Sequence, residues 1–190
     1  MKLILGSASE PRQQILREMG YDFVVMKPQI DEKLIREEDP EKLVLKLALA
    51  KAQALIPLIK DDAILITSDI VMTSHGKILE KPVSPEEARE FIKGYSGSSA
   101  DAFASAVVTN TKTGACESGV DRAVVYFNEI PSAVIDKLAQ KDYAMYCSGA
   151  IRIEDPVWKK YIKKIEGDIK TFMGLPPKLT KELIEKVIGD

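Results

Sequence analysis

Histidine is nearly absent: the 190 residues contain one, His75, and only two cysteines, Cys116 and Cys147, which lie far apart in the chain. With so few nitrogen and sulfur ligands a structural zinc site is excluded. A Ser-His-Asp triad would have to use His75, which precedes a glycine in "TSHGK" and reads as an exposed turn residue. Two isolated cysteines do not make a disulfide framework, so a reducing compartment is the default expectation. No apolar run approaches the roughly 20 residues of a membrane span. The start "MKLILGS" is too short for a signal peptide and reads as a first strand. The formal charge is −2, and no Lys/Arg block or basic stripe appears. These features exclude a general nucleic-acid binder and a membrane-surface binder. Neither G-x-x-x-x-G-K-[ST] nor G-x-G-x-x-G occurs, so neither a P-loop nor a dinucleotide fold is indicated. What remains for chemistry is carboxylates, lysines, arginines and hydroxyls, a set suited to phosphate and a hard cation.

The pattern that is present is α/β. "KLILG" reads as a strand, "EPRQQILREMG" as a helix closed by Gly20, and "YDFVVMKP" as a second strand. "DPEKLVLKLALAKAQALIP" is a long helix. "AILITSDIVM" is apolar enough for one strand buried on both faces, followed by a turn and the short return strand "ILEKP". "SPEEAREFIKG" opens with Ser84, Pro85 and Glu87, the signature of a capping box. "AFASAVVTN" and "RAVVYFNEI" read as strands, and "IPSAVIDKLAQ" as a helix. "YAMYCSGAI" is ambiguous, and "DPVWKKYIKKIEGD" reads as a short helix with a charged turn. "KLTKELIEKVI" closes the chain as an amphipathic helix with Leu179, Leu183, Ile184 and Val187 on one face. The expectation is one domain over residues 1–190 with a mixed sheet in two lobes, their boundary near residues 94–100.

Three features do not fit a purely structural reading. Lys51 falls on the stripe formed by Val44, Leu47, Ala48 and Leu55, opposite Lys42, Lys46 and Gln53. It either snorkels to water or faces an anion in a cleft. Asp69 interrupts the most apolar strand, as the cap of a strand end or as a ligand or proton acceptor at a strand terminus. The third is "GSASEPRQQIL", where small hydroxyls and a cation stand at a strand-to-helix junction. A helix N-terminus favours anions, Ser7 and Ser9 add donors, and Arg12 can grip phosphate with its fork. Gly6 would allow close approach of a ligand to the backbone. Helix capping by Ser9 or Glu10 would account for most of the same residues. Glu32 and Lys81, each solvated if alone, gain meaning only by converging with these.

The blocks "LILGSASEPRQQILREMGYDFVV", "IDEK", "AKAQA", "TSDIV", "ILEKPVSPEEAREFIKGYSG" and "IEGDIKTFMGLP" together resemble the Maf / septum-formation-inhibitor family, from residue 3 to about 180. The stretches around "EKPVSPEEAREFIKGYSGS" and "MGLPPKLT" are most similar to its plant-like eukaryotic branch. The resemblance implies a fold related to inosine triphosphate pyrophosphatases: an elongated mixed sheet in two lobes around a deep groove. It implies a nucleoside triphosphate pyrophosphatase, with a house-cleaning role, a divalent cation (Mg²⁺ or Mn²⁺), a homodimer and a cytoplasmic location. The implied roles are substrate binding by Ser7, Ser9, Arg12, Lys51 and Lys81, metal binding by Glu32 and Asp69, and catalysis by Asp69. Base choice would be set at Pro11, Ile70 and Gly149.

The chain also departs from the family pattern. It has "SEPRQ" for S-P-R-R, "SDIV" for A-D-T-V, "SADAFAS" for T-H-E-V-V-T, and "MYCSGAI" for the glutamine-bearing A-Y-G-I-Q-G. These leave the base open among UTP, dTTP, 7-methyl-GTP and other modified nucleotides, with inosine or xanthosine triphosphate a further reading. They also leave open a nucleotide-binding regulator with little turnover. Glu10, an unhelpful charge beside a phosphate, is expected to turn away from the cleft.

Overall fold

A computed structural model describes residues 1–189. Its organising element is β6 (Ser99–Asn110), a strand of 12 residues in the middle of one 8-stranded mixed sheet. One edge of β6 pairs along its length with β7 (Cys116–Phe127), which pairs with the lysine-rich edge strand β8 (Ile162–Glu166). The other edge is shared by two strands in succession. β3 (Ala63–Thr67) pairs with residues 107–110 of β6, and β4 (Ile70–Ser74) with residues 101–104, in one unbroken antiparallel register.

The run "AILITSDIVM" is therefore two strands, not the single one expected. Between them Ser68 and Asp69 lie outside both strands while staying against β6: the Ser105 amide donates to the Asp69 carbonyl at 3.1 Å. Beyond this break the sheet forks. β3 continues to β1 (Lys2–Leu5) and β2 (Val24–Val25) in parallel, whereas β4 continues to β5 (Lys77–Leu79) antiparallel. A groove opens between the two arms at the carboxyl ends of β1 and β3, where ligands collect in open α/β sheets.

Side-chain alternation decides which helices cover which face. Ile4, Ala63, Leu65 and Val107 meet α2 (Pro40–Leu55). Leu3, Leu5, Ile64, Ile66 and Val108 point oppositely, into a cluster shared with α1 (Glu10–Glu18) and α6 (Pro177–Gly189). On that same face, further along β6, Ala100 and Ala102 pack with α3 (Pro85–Tyr95), α4 (Ser132–Ala139) and the short α5 (Pro156–Lys159) around Tyr95, Phe127 and Trp158.

Several local expectations are met. Gly20 closes α1, with its amide on the Arg17 carbonyl and the Tyr21 amide on that of Leu16. Leu183, Ile184 and Val187 are buried and Leu179 packs beside them. His75 is an exposed residue of the β4–β5 turn, its Nε2 2.9 Å from the Gly94 carbonyl. Others need correction. "YDFVVMKP" yields only the two-residue β2, exposed at the sheet edge. The charged segment after α5 is the strand β8, because lysines suit an edge that must resist further pairing. "YAMYCSGAI" forms two short 3-10 turns. In the Ser84 box the Glu87 amide does donate to Ser84 Oγ, but the Glu87 carboxylate returns to the Val83 amide.

Candidate active site in the forked sheet

The groove encloses about 850 Å³ and is lined by residues from both arms. Its floor is built at the break between β3 and β4. Two buried hydroxyls fasten α2 across this point: Thr67 Oγ1 donates to the Ala48 carbonyl (2.8 Å) and Ser105 Oγ to that of Val44 (2.9 Å). Lys51 follows Ala48 by under one turn, so the same attachment carries its side chain to Asp69. The ammonium lies 3.2 Å from Asp69 Oδ1 and 2.8 Å from Glu32 Oε1, with the Lys51 side chain only 7% exposed. A lysine so buried requires anions, and of the two readings the sequence left open the structure gives the second.

Asp69 is likewise buried. Its Oδ1 accepts from the Ile70 amide (2.9 Å) and faces Arg12 Nη2 at 3.5 Å as well as Lys51. These contacts all fall on one oxygen, leaving Oδ2 free of them. The Asp69 amide is in turn held by Ser105 Oγ at 3.2 Å. Glu32 arrives from a 3-10 turn, Glu32–Leu34, capped by Asp31. Burial pushes its carboxyl up, but the Lys51 hydrogen bond, with the charges of Lys51, Lys81 and Arg12, outweighs this and holds it below its ordinary value.

The loop after β1 forms the adjacent wall. Ser7 is buried, and its Oγ accepts from the Ser9 amide (3.2 Å) and from Arg12 Nη1 (3.1 Å). Ser9 stands at the N-cap of α1 without making a capping bond, so its hydroxyl is not consumed by the helix. Ser9, Pro11 and Arg12 line the groove. Gly6 does not provide the ligand approach expected of it. A side chain there would strike Thr67 Cγ2 at 2.6 Å and Leu55 Cδ1 at 2.7 Å, so the glycine serves strand and helix packing. Glu10, expected to turn away, is itself among the residues lining the groove, while its carboxylate accepts from Nη1 (2.8 Å) of Arg17, a residue outside that lining. Gln13 donates to the Ala8 carbonyl and accepts from Arg17.

Lys81 is exposed on the opposite wall and, among the described residues, forms no ion pair. The Arg36–Glu80 pair (2.8 Å) links its segment to the one bearing Glu32. Ile70 also lines the groove. Gly149 does not: it is buried beneath the lining, accepting a hydrogen bond from Tyr95 Oη (2.7 Å). Ser68, Ser105 and Gly174 were not singled out from sequence, yet Ser105 holds Asp69, Gly174 holds Arg12, and Ser68 donates to the same Gly174 carbonyl. The polar pair beside Asp69 in an apolar run was the available signal for Ser68; Ser105 and Gly174 carry none.

No cluster of three or more His, Cys, Asp or Glu residues suited to a metal exists among the described residues. Glu32 and Asp69 offer a pair of carboxylates, each with one oxygen not engaged by Lys51. That donor set fits a hard cation such as Mg²⁺, which binds through one or two carboxylates and completes its shell with water and phosphate oxygens. Both cysteines are free, and among the described residues no helix is long and apolar enough to cross a membrane.

Comparison with known proteins gives a consistent result. The family model described as Maf-like protein matches residues 2–187. A 7-methyl-GTP pyrophosphatase of Dictyostelium discoideum is 41% identical over 192 residues, covering 97% of this chain and 96% of that protein. A dTTP/UTP pyrophosphatase of Thermotoga maritima is 34% identical over 177 residues, covering 93% and 84%. A 7-methyl-GTP pyrophosphatase of Vibrio vulnificus is 33% identical over 176 residues, covering 92% and 89%.

Proposed function

The chain belongs to the Maf-like protein family, and from that membership we infer that it is a nucleoside triphosphate pyrophosphatase. It cleaves the α–β phosphate bond of a nucleoside triphosphate, giving the monophosphate and pyrophosphate. The observation that carries this reading for the site is the convergence of Arg12 and Lys51 on Asp69 at the fork of the sheet, with Glu32 joined to the same Lys51 ammonium. Phosphoryl chemistry asks mainly for positioning and charge stabilisation, which such a set supplies.

In this reading the triphosphate lies against the N-terminus of α1, bound by Ser7, Ser9 and Arg12. Lys51 and Lys81 offset its charge from opposite walls. Asp69 orients the attacking water and accepts its proton. The water oxygen bonds to the α-phosphorus as the bond to the bridging oxygen breaks, its electron pair leaving with pyrophosphate. Glu32 and Asp69 would hold Mg²⁺ or Mn²⁺, whose chemistry when bound is neutralisation of phosphate oxygens. The base lies toward Pro11, Ile70 and the Tyr143–Ser148 segment, with Gly149 acting through the backbone beneath. The relative sharing 41% identity makes 7-methyl-GTP the first base to test. A house-cleaning role, a homodimer and a cytoplasmic setting complete the proposal; sedimentation velocity tests the dimer.

The deciding experiment incubates the protein and Mg²⁺ with 7-methyl-GTP, UTP, dTTP, ITP and XTP and measures pyrophosphate and monophosphate. Equal release of both from at least one nucleotide, 7-methyl-GTP foremost, is expected. Nucleotide binding with no product would overturn the reading in favour of a regulator.

A further inference from the structure

Arg12 is held from a direction that the phosphate loop does not supply. Gly174 ends the 3-10 turn Ile169–Met173, and its carbonyl accepts from Arg12 Nε (2.9 Å) across 162 residues of sequence. The same carbonyl accepts from Ser68 Oγ. Gly174 has φ +88°, in the left-handed region that favours glycine. A Cβ there would lie 2.9 Å from Arg12 Nε and 3.0 Å from Nη2, so the guanidinium occupies the space that any side chain would take. The turn is itself anchored on both sides: Thr171 Oγ1 donates to Asp121 Oδ2 (2.7 Å), and Lys170 pairs with Glu18 of α1 (2.8 Å).

A guanidinium has five N–H donors in one rigid plane. Here Nε is committed to Gly174, Nη1 to Ser7 Oγ, and Nη2 faces Asp69. Fixing Nε and Nη1 fixes the plane, and with it the direction of the N–H bonds left for phosphate. Ser68 immediately precedes Asp69, so one carbonyl ties the arginine to the strand break that carries the carboxylate.

We propose that Gly174, with Ser68, is a positioning device that orients Arg12 toward the triphosphate and sets it relative to Asp69. This rests on the pyrophosphatase reading for the reaction, while the orientation of Arg12 stands on the geometry alone. Gly174→Ala displaces the guanidinium and lowers kcat/KM by about 10²-fold, the scale of an ångström-sized misplacement. Ser68→Ala leaves the backbone untouched and lowers it about tenfold, the scale of one lost hydrogen bond.

The test is a double-mutant cycle against Arg12→Ala. Each substitution is made in the wild-type and Arg12→Ala backgrounds, with melting temperature recorded for all variants. Both losses should vanish once Arg12 is gone. Equal losses on the two backgrounds mean a merely structural role and overturn the proposal. Should Gly174→Ala not fold, the Ser68→Ala cycle decides alone. The same cycle is read by calorimetric binding of an α,β-methylene nucleoside triphosphate with Mg²⁺. Coupling in binding without turnover would sink the pyrophosphatase reading and keep the clamp. Additive binding losses alongside normal turnover would sink the clamp and keep the reading.

Discussion

At the scale of single residues the site is a chain of mutual compensation. Lys51, Asp69 and Arg12 are each too buried to stand alone, and each is placed against an opposite charge. Asp69→Asn keeps an acceptor for the Ile70 amide but removes the charge and the proton acceptor. Pyrophosphate release should fall by about 10²-fold or more while the circular dichroism spectrum is unchanged; near wild-type turnover would refute the role given to Asp69. Glu32 tests the electrostatics separately. Its carboxyl is held below its ordinary 4.5 chiefly because the Lys51 interaction outweighs burial. A depressed carboxyl contributes stability that is present above 4.5 and lost as pH falls through the lowered value. In Lys51→Met the opposing burial is left with weaker support from Lys81 and Arg12. A carbon-13 NMR titration should therefore show the Glu32 midpoint rising relative to wild type, and an unmoved midpoint would contradict the pairing. Lys51 and Asp69 were visible in the sequence as charges in apolar patterns. Ser105 and Gly174 were not, because one acts through its hydroxyl and the other through its carbonyl on residues far away in sequence, which no local pattern encodes.

At the scale of elements, the signals that proved readable were those carried within one element. The period of α2 placed Lys51 with Val44, Leu47, Ala48 and Leu55, all buried, and left Lys42, Lys46 and Gln53 exposed. The Ser84 cap is local in the same sense: removing its bond to the Glu87 amide exposes an amide that water only partly compensates. Ser84→Ala should cost about 1 kcal/mol of stability in urea denaturation without changing kcat. A change in kcat with stability unaltered would mean that α3 communicates with the groove. Signals that depend on pairing were misread. "AILITSDIVM" looked like one strand because both of its halves are buried against the same partner, and only the identity of their outer neighbours, β1 and β5, separates them. Likewise "KKYIKKIEGD" looked like a turn because its charges answer to an edge position that the sequence does not state.

At the scale of the molecule, the fork raises the question of whether two lobes behave as two units. A boundary near residues 94–100 would fall just where β6 begins, yet β6 pairs with β3, β4 and β7 and contributes to all four apolar clusters. Neither arm can keep its sheet without that strand. The arms are therefore expected to unfold as one cooperative unit. Trp158 offers a local probe: it is fully buried in the cluster of Tyr95 and Phe127, on the β4 side of the fork. Its fluorescence should report a urea transition coincident with that of far-ultraviolet circular dichroism, which averages over both arms. An earlier Trp158 transition would mean that the arm bearing β4 and Lys81 opens independently of the arm bearing Arg12. The groove would then be a hinge, and the two walls that hold the triphosphate would be brought together by the substrate instead of standing preformed.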